Sequence, residues 1–164
     1  MIAPPINTPA QTTDSIEDEV LLPQPPARVW RALTNPAELG AWFGADLTGA
    51  TIAPGSRVRG RFTIPGHEDH MFEVTIAEME PERRFAWRWH PGTADHKADL
   101  SAEPLTLVTF TLERSADGGT LLRVVESGFE ALATARRAEA LQGNTRGWTG
   151  QLHKRLPGYL ASAA

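Results

Sequence analysis

Across residues 45–128, apolar side chains alternate with polar ones, and a period of two residues is typical of β-strands. Pro65 with Gly66, and Asp117 with Gly118 and Gly119, mark turns between the alternating runs. Runs with one apolar and one polar face predict an antiparallel sheet of about six strands with one face toward water. The apolar positions of these runs are Val58, Phe62, Ile64, Phe72, Val74, Ile76, Phe85, Trp87, Trp89, Val108, Phe110, Leu112, Leu122 and Val124.

The residues before this region predict one further strand and two short helices. Apolar and acidic residues alternate over Ser15–Leu22, which indicates the strand. Proline is tolerated in the first turn of a helix, so Pro26 can begin a helix that runs to Thr34. Asn35 is a suitable N-cap for a second helix, which Gly44 is expected to end.

The last helix is predicted from residue 144 to about residue 160, because apolar residues recur there at steps of four. These residues are Trp148, Leu152, Leu156 and Leu160. His153, Lys154 and Arg155 lie off this stripe and are expected to face water. Pro157 is expected to kink the helix or to break it one turn before its end. The segment 129–143 before it connects to the strands and contains an alanine-rich stretch that could itself be helical.

An apolar helix that follows a series of antiparallel strands needs a sheet to cover it. We therefore predict an α+β fold in which a curved antiparallel sheet wraps around a long C-terminal helix, with a cavity between them. A chain of 164 residues suits a single domain. We assign residues 14–164 to that domain, and residues 1–13, which are rich in proline, threonine and alanine, to a flexible tail.

Composition excludes several classes of function. A formal net charge of −4 argues against nucleic acid and against anionic membrane surfaces as partners. The absence of cysteine excludes disulfides, thiol nucleophiles and thiolate metal sites. No apolar run approaches the roughly 20 residues of a membrane span, and the N-terminus lacks the pattern of a secretory signal, so a cytoplasmic location is the default expectation. The oligomeric state stays open, with a homodimer among the alternatives.

Four stretches occur in an order that resembles the activator of heat-shock protein 90 ATPase homologue family, within the START-like (SRPBCC, Bet v-like) superfamily. They are 29–34 with Pro36, Leu39, Trp42 and Phe43; 81–85 with Trp87 and Trp89; 119–123 with 126–129; and Gly147 with Trp148. The resemblance extends over about residues 14–161 and therefore over nearly the whole chain.

The resemblance implies a helix-grip (START-like) fold, in which a strongly curved antiparallel sheet grips a long C-terminal helix and two short helices after the first strand close one end. It also implies a deep apolar cavity, which the superfamily uses for lipids, sterols, polyketides and other hydrophobic molecules. Two features depart from the pattern and bear on the cavity mouth: Pro157 in the gripped helix, and a long polar loop at 91–103. The family is named after eukaryotic co-chaperones in which one domain corresponds to this chain, so a chaperone partner is not implied by the fold.

Side chains expected on the inner face form the predicted ligand-binding set, because a pocket for a drug-sized molecule is mostly apolar with few polar groups. A densely packed core would use the same side chains, and both interpretations stay open. The set is Trp42, Phe43, Phe62, Phe72, Val74, Trp87, Trp89, Phe110, Val124, Glu126, Trp148 and Leu152.

Glu126 is the one charged member of this set. It continues the inward phase of Leu122 and Val124, and a buried carboxylate is costly unless it is paired. It could fix the orientation of a ligand or, in an enzyme, act as an acid or a base. Alternatively, it lies at the end of its strand, half-solvated or in a salt bridge.

Other polar patterns do not predict a metal, a cofactor or a nucleophile. His67, Glu68, Asp69 and His70 carry side chains that can bind zinc, but nothing in their spacing makes them converge. His90 and His96 are expected at the rim of the polar loop. The sequence has neither a Gly-x-Ser-x-Gly motif nor a glycine-rich phosphate loop.

Three hypotheses for the function follow. The leading one is a binding protein for an unidentified hydrophobic small molecule, such as a lipid, a polyketide or an aromatic compound. The second is an enzyme that uses the same cavity, such as a cyclase, a dehydratase or a hydrolase, and it requires Glu126 inside. The third is a co-chaperone-like regulator of the heat-shock protein 90 ATPase that acts through its outer surface.

Overall fold

The computed structural model describes residues 15–92 and 99–163. The predicted tail 1–13 and the middle of the predicted 91–103 loop lie outside the described residues. The strands are β1 (Ser15–Leu22), β2 (Arg57–Arg61), β3 (Met71–Glu80), β4 (Arg84–Trp89), β5 (Thr106–Arg114) and β6 (Thr120–Ser127). The helices are α1 (Pro26–Thr34), α2 (Pro36–Phe43), α3 (Thr134–Gly150) and α4 (Leu156–Ser162), with a short 3-10 turn at Phe129–Ala131.

The strands form one antiparallel sheet in the order β1-β6-β5-β4-β3-β2. The predicted helix-grip architecture is confirmed: the sheet curves around the C-terminal helix, and α1 and α2 follow the first strand. Within the described residues, five strands follow α2 rather than about six. The period of two was assigned from residue 45, but turns interrupt the chain before β2, and an isolated bridge between Ala45 and Phe62 forms there in place of a strand.

Buried and less buried side chains alternate along the strands with the same period of two residues that predicted them. In β5 and β6 every second side chain faces the helix layer, and these positions are fully or almost fully buried. β3 keeps this alternation through Ile76, where a bulge shifts the register against β4. The inner face therefore presents mostly apolar side chains to the helices, with Thr106, Thr120 and Glu126 as buried polar positions.

The two short helices begin and end as their capping residues predict. The Asn35 side chain accepts a hydrogen bond from the Glu38 backbone N–H at 3.1 Å, which satisfies a free donor at the start of α2. Gly44 ends α2 with φ of 93°, a left-handed conformation that favours glycine. The Trp42 indole N–H donates to the Ala32 carbonyl at 2.8 Å and joins the two helices.

The C-terminal helix is longer than predicted and does not break at Pro157. It begins at Thr134, and a π-helical turn over Gln151–Arg155 joins α3 to α4. In that turn the Leu156 N–H bonds to the Gln151 carbonyl, five residues earlier. A proline lacks its own N–H and its ring clashes with the carbonyl four residues before it. The wider turn before Pro157 accommodates both effects, so the helix continues to Ser162.

The same π-helical turn keeps the apolar stripe in line. In an α-helix of about 3.6 residues per turn, a step of four residues overshoots one turn, so the stripe drifts around the helix. A π-helical turn contains more residues, and a step of four falls short of one turn there. Trp148, Leu152, Leu156 and Leu160 are consequently all buried, each 3% exposed or less. His153, Lys154 and Arg155 face water, as predicted.

A polar cluster attaches the end of this helix to α1 and α2. The Glu38 carboxylate lies 2.8 Å from both Arg28 and Arg31 and accepts a hydrogen bond from the Tyr159 hydroxyl at 2.7 Å. Burial raises the pKa of Glu38, but the hydrogen bonds from Tyr159 and Arg28 and the positive charges of Arg28 and Arg31 outweigh it, so the pKa is lowered. This attachment weakens as the pH falls through the lowered pKa.

Glycine at position 60 is required by a close backbone approach. A Cβ there would fall on the Asp46 carbonyl oxygen, whereas a Cβ at Gly143 in α3 would meet no atom within 4 Å. We expect Gly60→Ala to lower the free energy of unfolding by about 2–3 kcal/mol. Gly143→Ala should raise it by about 0.5–1 kcal/mol, because alanine favours the helix. Urea unfolding gives the free energy of unfolding of each variant. Equal changes in the two variants would contradict the close approach between Gly60 and the Asp46 carbonyl.

Candidate functional site

Glu126 lies in the interior, where β6 faces the C-terminal helix. Its backbone pairs with Val108 on β5 and with Ile16 on β1, so it lies on a central strand of the sheet rather than at an edge. Its side chain is 0% exposed. The predicted inward phase is therefore correct. Glu126 does lie near the end of β6, one residue before Ser127, but it is not half-solvated, and it forms no salt bridge with a described residue.

Four side chains of the described residues donate hydrogen bonds to this carboxylate. The Trp89 indole N–H and the Thr106 hydroxyl donate to Oε2 at 2.8 and 2.6 Å. The Trp148 indole N–H donates to Oε1 at 2.8 Å. The Asn144 side-chain amide lies 3.0 Å from each oxygen. Both oxygens are therefore satisfied inside the protein, which a buried carboxylate requires.

The sheet register and the helix period bring these donors together. Thr106 pairs with Trp89 across β5 and β4, and Val108, two residues after Thr106, pairs with Glu126. Trp89, Thr106 and Glu126 thus lie on a diagonal across the inner face. Asn144 and Trp148 are four residues apart in α3 and therefore lie on the same side of the helix. The carboxylate joins three adjacent strands to the helix.

The charge of Glu126 has no cationic partner in the described part of the chain. No arginine, lysine or histidine among residues 15–92 and 99–163 lies within 4 Å of it. The donors are two indoles, an amide and a hydroxyl, all of them uncharged. The carboxylate is consequently stabilised by oriented dipoles, and its negative charge is not neutralised locally.

Beside the carboxylate, aromatic rings interlock in the centre of the fold. Trp87 contacts Phe110 at a centroid distance of 5.0 Å, and Trp148 contacts Phe110 at 5.7 Å and Trp89 at 5.8 Å. Most of these pairs meet edge to face, which is a favoured geometry for aromatic rings. More than half of the predicted ligand-binding set lies in this packed core, each residue 2% exposed or less: Trp42, Val74, Trp87, Phe110, Val124, Trp148 and Leu152.

A cavity of about 630 Å³ opens where this packing ends. Four members of the predicted set line it, together with two further apolar residues near the β2–β3 turn. The apolar lining consists of Phe43, Phe62, Ile64, Met71, Phe72 and Trp89, together with Pro91 and Leu100 from the loop after β4. Of the described C-terminal helix, Asn144 contributes to the lining. The cavity thus lies mainly between the β2–β3 end of the sheet and residues 90–92 and 99–101, and not along the helix as expected.

Polar residues line the outer part of the cavity. The charged ones are Arg57, Asp69, Glu73 and Asp99. His67, His70 and His90 also line it, which places His90 on the cavity, in keeping with the rim position expected for it. Within the described residues, no group of three histidine or carboxylate side chains is arranged to hold a metal ion. The cavity therefore has an apolar interior and a polar mouth.

Contacts from α3 hold the chain on both sides of residues 93–98 at this mouth. Arg136 donates to the carbonyls of Pro91 and Gly92 at 2.6 and 2.9 Å and lies 3.1 Å from the Glu103 carboxylate. Asn144 accepts a hydrogen bond from the Gly92 N–H at 3.3 Å while its amide group binds Glu126. The mouth is thereby connected to the buried carboxylate through one side chain.

The sequence of the chain matches one family model over residues 23–161, and that model describes the Activator of Hsp90 ATPase homolog 1-like protein. The chain belongs to this family. None of the described helices combines the length and the apolar character that a membrane span needs. The resemblance noted in the sequence is thus confirmed at the level of the family.

Solved structures similar to this family member share its fold. A protein from Mesorhizobium loti is 24% identical, with a TM-score of 0.69 over 92% of this chain and 98% of that one. A Staphylococcus aureus protein of unknown function is 13% identical, with a TM-score of 0.71 over 91% of this chain and 94% of that one.

DynU16, a protein of the dynemicin biosynthetic locus, is 26% identical, with a TM-score of 0.67. The alignment covers 92% of this chain but 48% of DynU16, so the chain spans about half the length of that protein. A search of curated proteins finds no match to the chain.

Two partners of Glu126 in this family member were not predicted from the sequence. Thr106 lies on the inward phase of β5, two residues before Val108, and a polar residue on that phase was a usable signal. Asn144 precedes Trp148 by one helical step of four, which places it on the apolar stripe. Asp99, which lines the cavity, was not predicted either, because it lies in a loop whose sequence shows no periodicity.

Glu126→Gln tests the buried hydrogen-bond cluster. A glutamine amide presents N–H groups where the carboxylate accepted hydrogen bonds, so donors would face donors. We expect the free energy of unfolding to fall by about 3 kcal/mol. Glu113→Gln, which makes the same substitution at an exposed position of β5, should change it by no more than about 0.5 kcal/mol. Similar values for both variants in urea unfolding would contradict the structural role of Glu126.

Proposed function

We propose that this protein binds a hydrophobic small molecule that contains an aromatic ring system and a polar end. The observation that carries the proposal is the 630 Å³ cavity with an aromatic interior and a polar mouth. Its volume lies within the roughly 300–1,000 Å³ that is typical of small-molecule sites. The similarity to DynU16, from a biosynthetic locus, supports a small organic molecule as the ligand class.

The aromatic residues of the cavity offer faces that the protein core does not cover. Phe43 and Phe72 are buried and hold their neighbours in place, with a centroid distance of 5.1 Å between them. Phe62 and Trp89 are partly exposed and pack against that pair from the cavity side. A ligand ring placed here removes apolar surface from water and meets rings that are already fixed.

Glu126 supports this proposal as a positioning residue and not as an acid or base. It is not among the residues that line the cavity, because Trp89 and Asn144 lie between its carboxylate and the open space. Both of its oxygens already accept hydrogen bonds within the protein. The enzymatic hypothesis therefore gains no support from this residue, and binding is the function that the geometry favours.

Phe62→Ala tests the cavity as a binding site with Nile red, an uncharged aromatic dye, as the probe. The substitution removes one ring from the cavity wall, and we expect the dissociation constant of the dye to rise about tenfold. Because Phe62 is partly exposed, the fold should be retained, which circular dichroism can check. Fluorescence titration measures the affinity.

Leu21→Ala is the matched control, since Leu21 is 62% exposed on β1 and does not line the cavity. It should leave dye binding unchanged. The proposal fails if the dye does not bind the unsubstituted protein, or if Leu21→Ala weakens binding as much as Phe62→Ala.

A further inference from the structure

We propose that the cavity selects hydrophobic molecules that carry a positive charge, such as an aromatic amine in its ammonium form, over anionic ones such as aromatic carboxylates. This inference rests on the proposed function and adds the charge of the ligand to it. Three observations carry it: the charges at the mouth, the buried carboxylate behind the wall, and the aromatic faces between them.

Among the described residues that line the cavity, the mouth has three carboxylates and one arginine. Its arginine, Arg57, lies 2.7 Å from the Glu73 carboxylate, with Arg59 at 3.6 Å from the same oxygen, so Glu73 is neutralised. Asp69 and Asp99 also line the cavity, and the structure places no cationic side chain of the described residues within 4 Å of either. Hydrogen bonds from the side chain and backbone N–H of Ser101 lower the pKa of Asp99, which keeps it ionised at neutral pH.

Glu126 adds a second source of negative potential from behind the wall. Its carboxylate is buried without a cationic partner in the described chain, and two of its donors, Trp89 and Asn144, themselves line the cavity. A charge in a poorly solvated interior is weakly screened, so its field extends into the neighbouring space. An anionic ligand is repelled by Glu126, whereas a cationic ligand is attracted.

The aromatic lining suits a cation as well. Trp89, Phe62 and Phe43 line the cavity, and the electron-rich face of an aromatic ring attracts a positive charge. Three histidines, His67, His70 and His90, also line the cavity. Among the described lining residues, the carboxylates and the aromatic rings therefore both favour a cationic ligand.

Three probes with one ring system separate charge from hydrophobic binding: 1-naphthylmethylamine as the ammonium ion, 1-naphthalenemethanol and 1-naphthoate. Calorimetric titration at about pH 8, where free imidazole is neutral, gives the three dissociation constants at low and at high salt. We expect the ammonium to bind about tenfold more tightly than the carboxylate at low salt, with the alcohol between them. High salt should reduce the ratio of the dissociation constant of the carboxylate to that of the ammonium, because salt screens the charges.

The double variant Asp69→Asn/Asp99→Asn removes the negative charge of the mouth but keeps an oxygen that can accept the hydrogen bonds from Ser101. It should lower the ratio between ammonium and carboxylate several-fold without weakening the alcohol. The double variant Glu113→Gln/Glu130→Gln makes the same change in net charge at exposed positions outside the cavity lining and should leave the ratio unchanged.

The outcomes distinguish this inference from the proposed function. If the alcohol binds but the ammonium and the carboxylate bind equally, or the carboxylate binds more tightly, charge selection is overturned and the binding cavity stands. If the two double variants lower the ratio equally, the selection comes from net charge and not from the mouth, which also overturns the inference. If none of the three probes binds, both proposals fail.

Discussion

The hydrogen bonds that four uncharged donors make to Glu126 are the interaction on which the rest of the structure depends. They connect β4, β5 and β6 to α3 at a point where water is excluded. Removing a carboxylate from water is costly, and the cost is offset only while all the donors stay in place. The position of the helix against the sheet is therefore specified by a polar cluster, in addition to the apolar stripe that buries it.

Two of these donors belong to the cavity as well as to the core. Trp89 gives its N–H to Glu126 and its ring to the cavity, while Asn144 bridges Glu126 to the backbone of Gly92 at the mouth. Their rotamers are held by the carboxylate before any ligand arrives. A wall that is ordered during folding costs a ligand little entropy on binding, which is the advantage of a preorganised site.

The elements of the fold could be predicted because their signals are local. The period of two gave the strands, and the caps at Asn35 and Gly44 gave α2, since each depends on a few neighbouring residues. The outcome at Pro157 could not be predicted in the same way. A proline in a helix has several solutions, and the π-helical turn is favoured here because it also keeps Leu156 and Leu160 against the sheet.

The site was predictable only in part, for a related reason. Phase along β6 correctly placed Glu126 in the interior, but the identity of its donors depends on sheet register and on the position of α3, which are long-range properties. Phase also cannot separate core from cavity on the inner face. Trp87 and Phe72 share that face, yet Trp87 is enclosed by other rings, while Phe72 lies where the packing ends.

The same carboxylate links the stability of the fold to the chemistry of the cavity. A salt bridge at this position would have supplied a comparable connection between sheet and helix and left the interior electrically neutral. Among the described residues, donors without charge satisfy the hydrogen bonds of Glu126 but leave its charge in place, one side chain behind the cavity wall. The negative potential in the cavity is thus a consequence of how the sheet is joined to the helix, and a substitution that neutralises Glu126 changes both together.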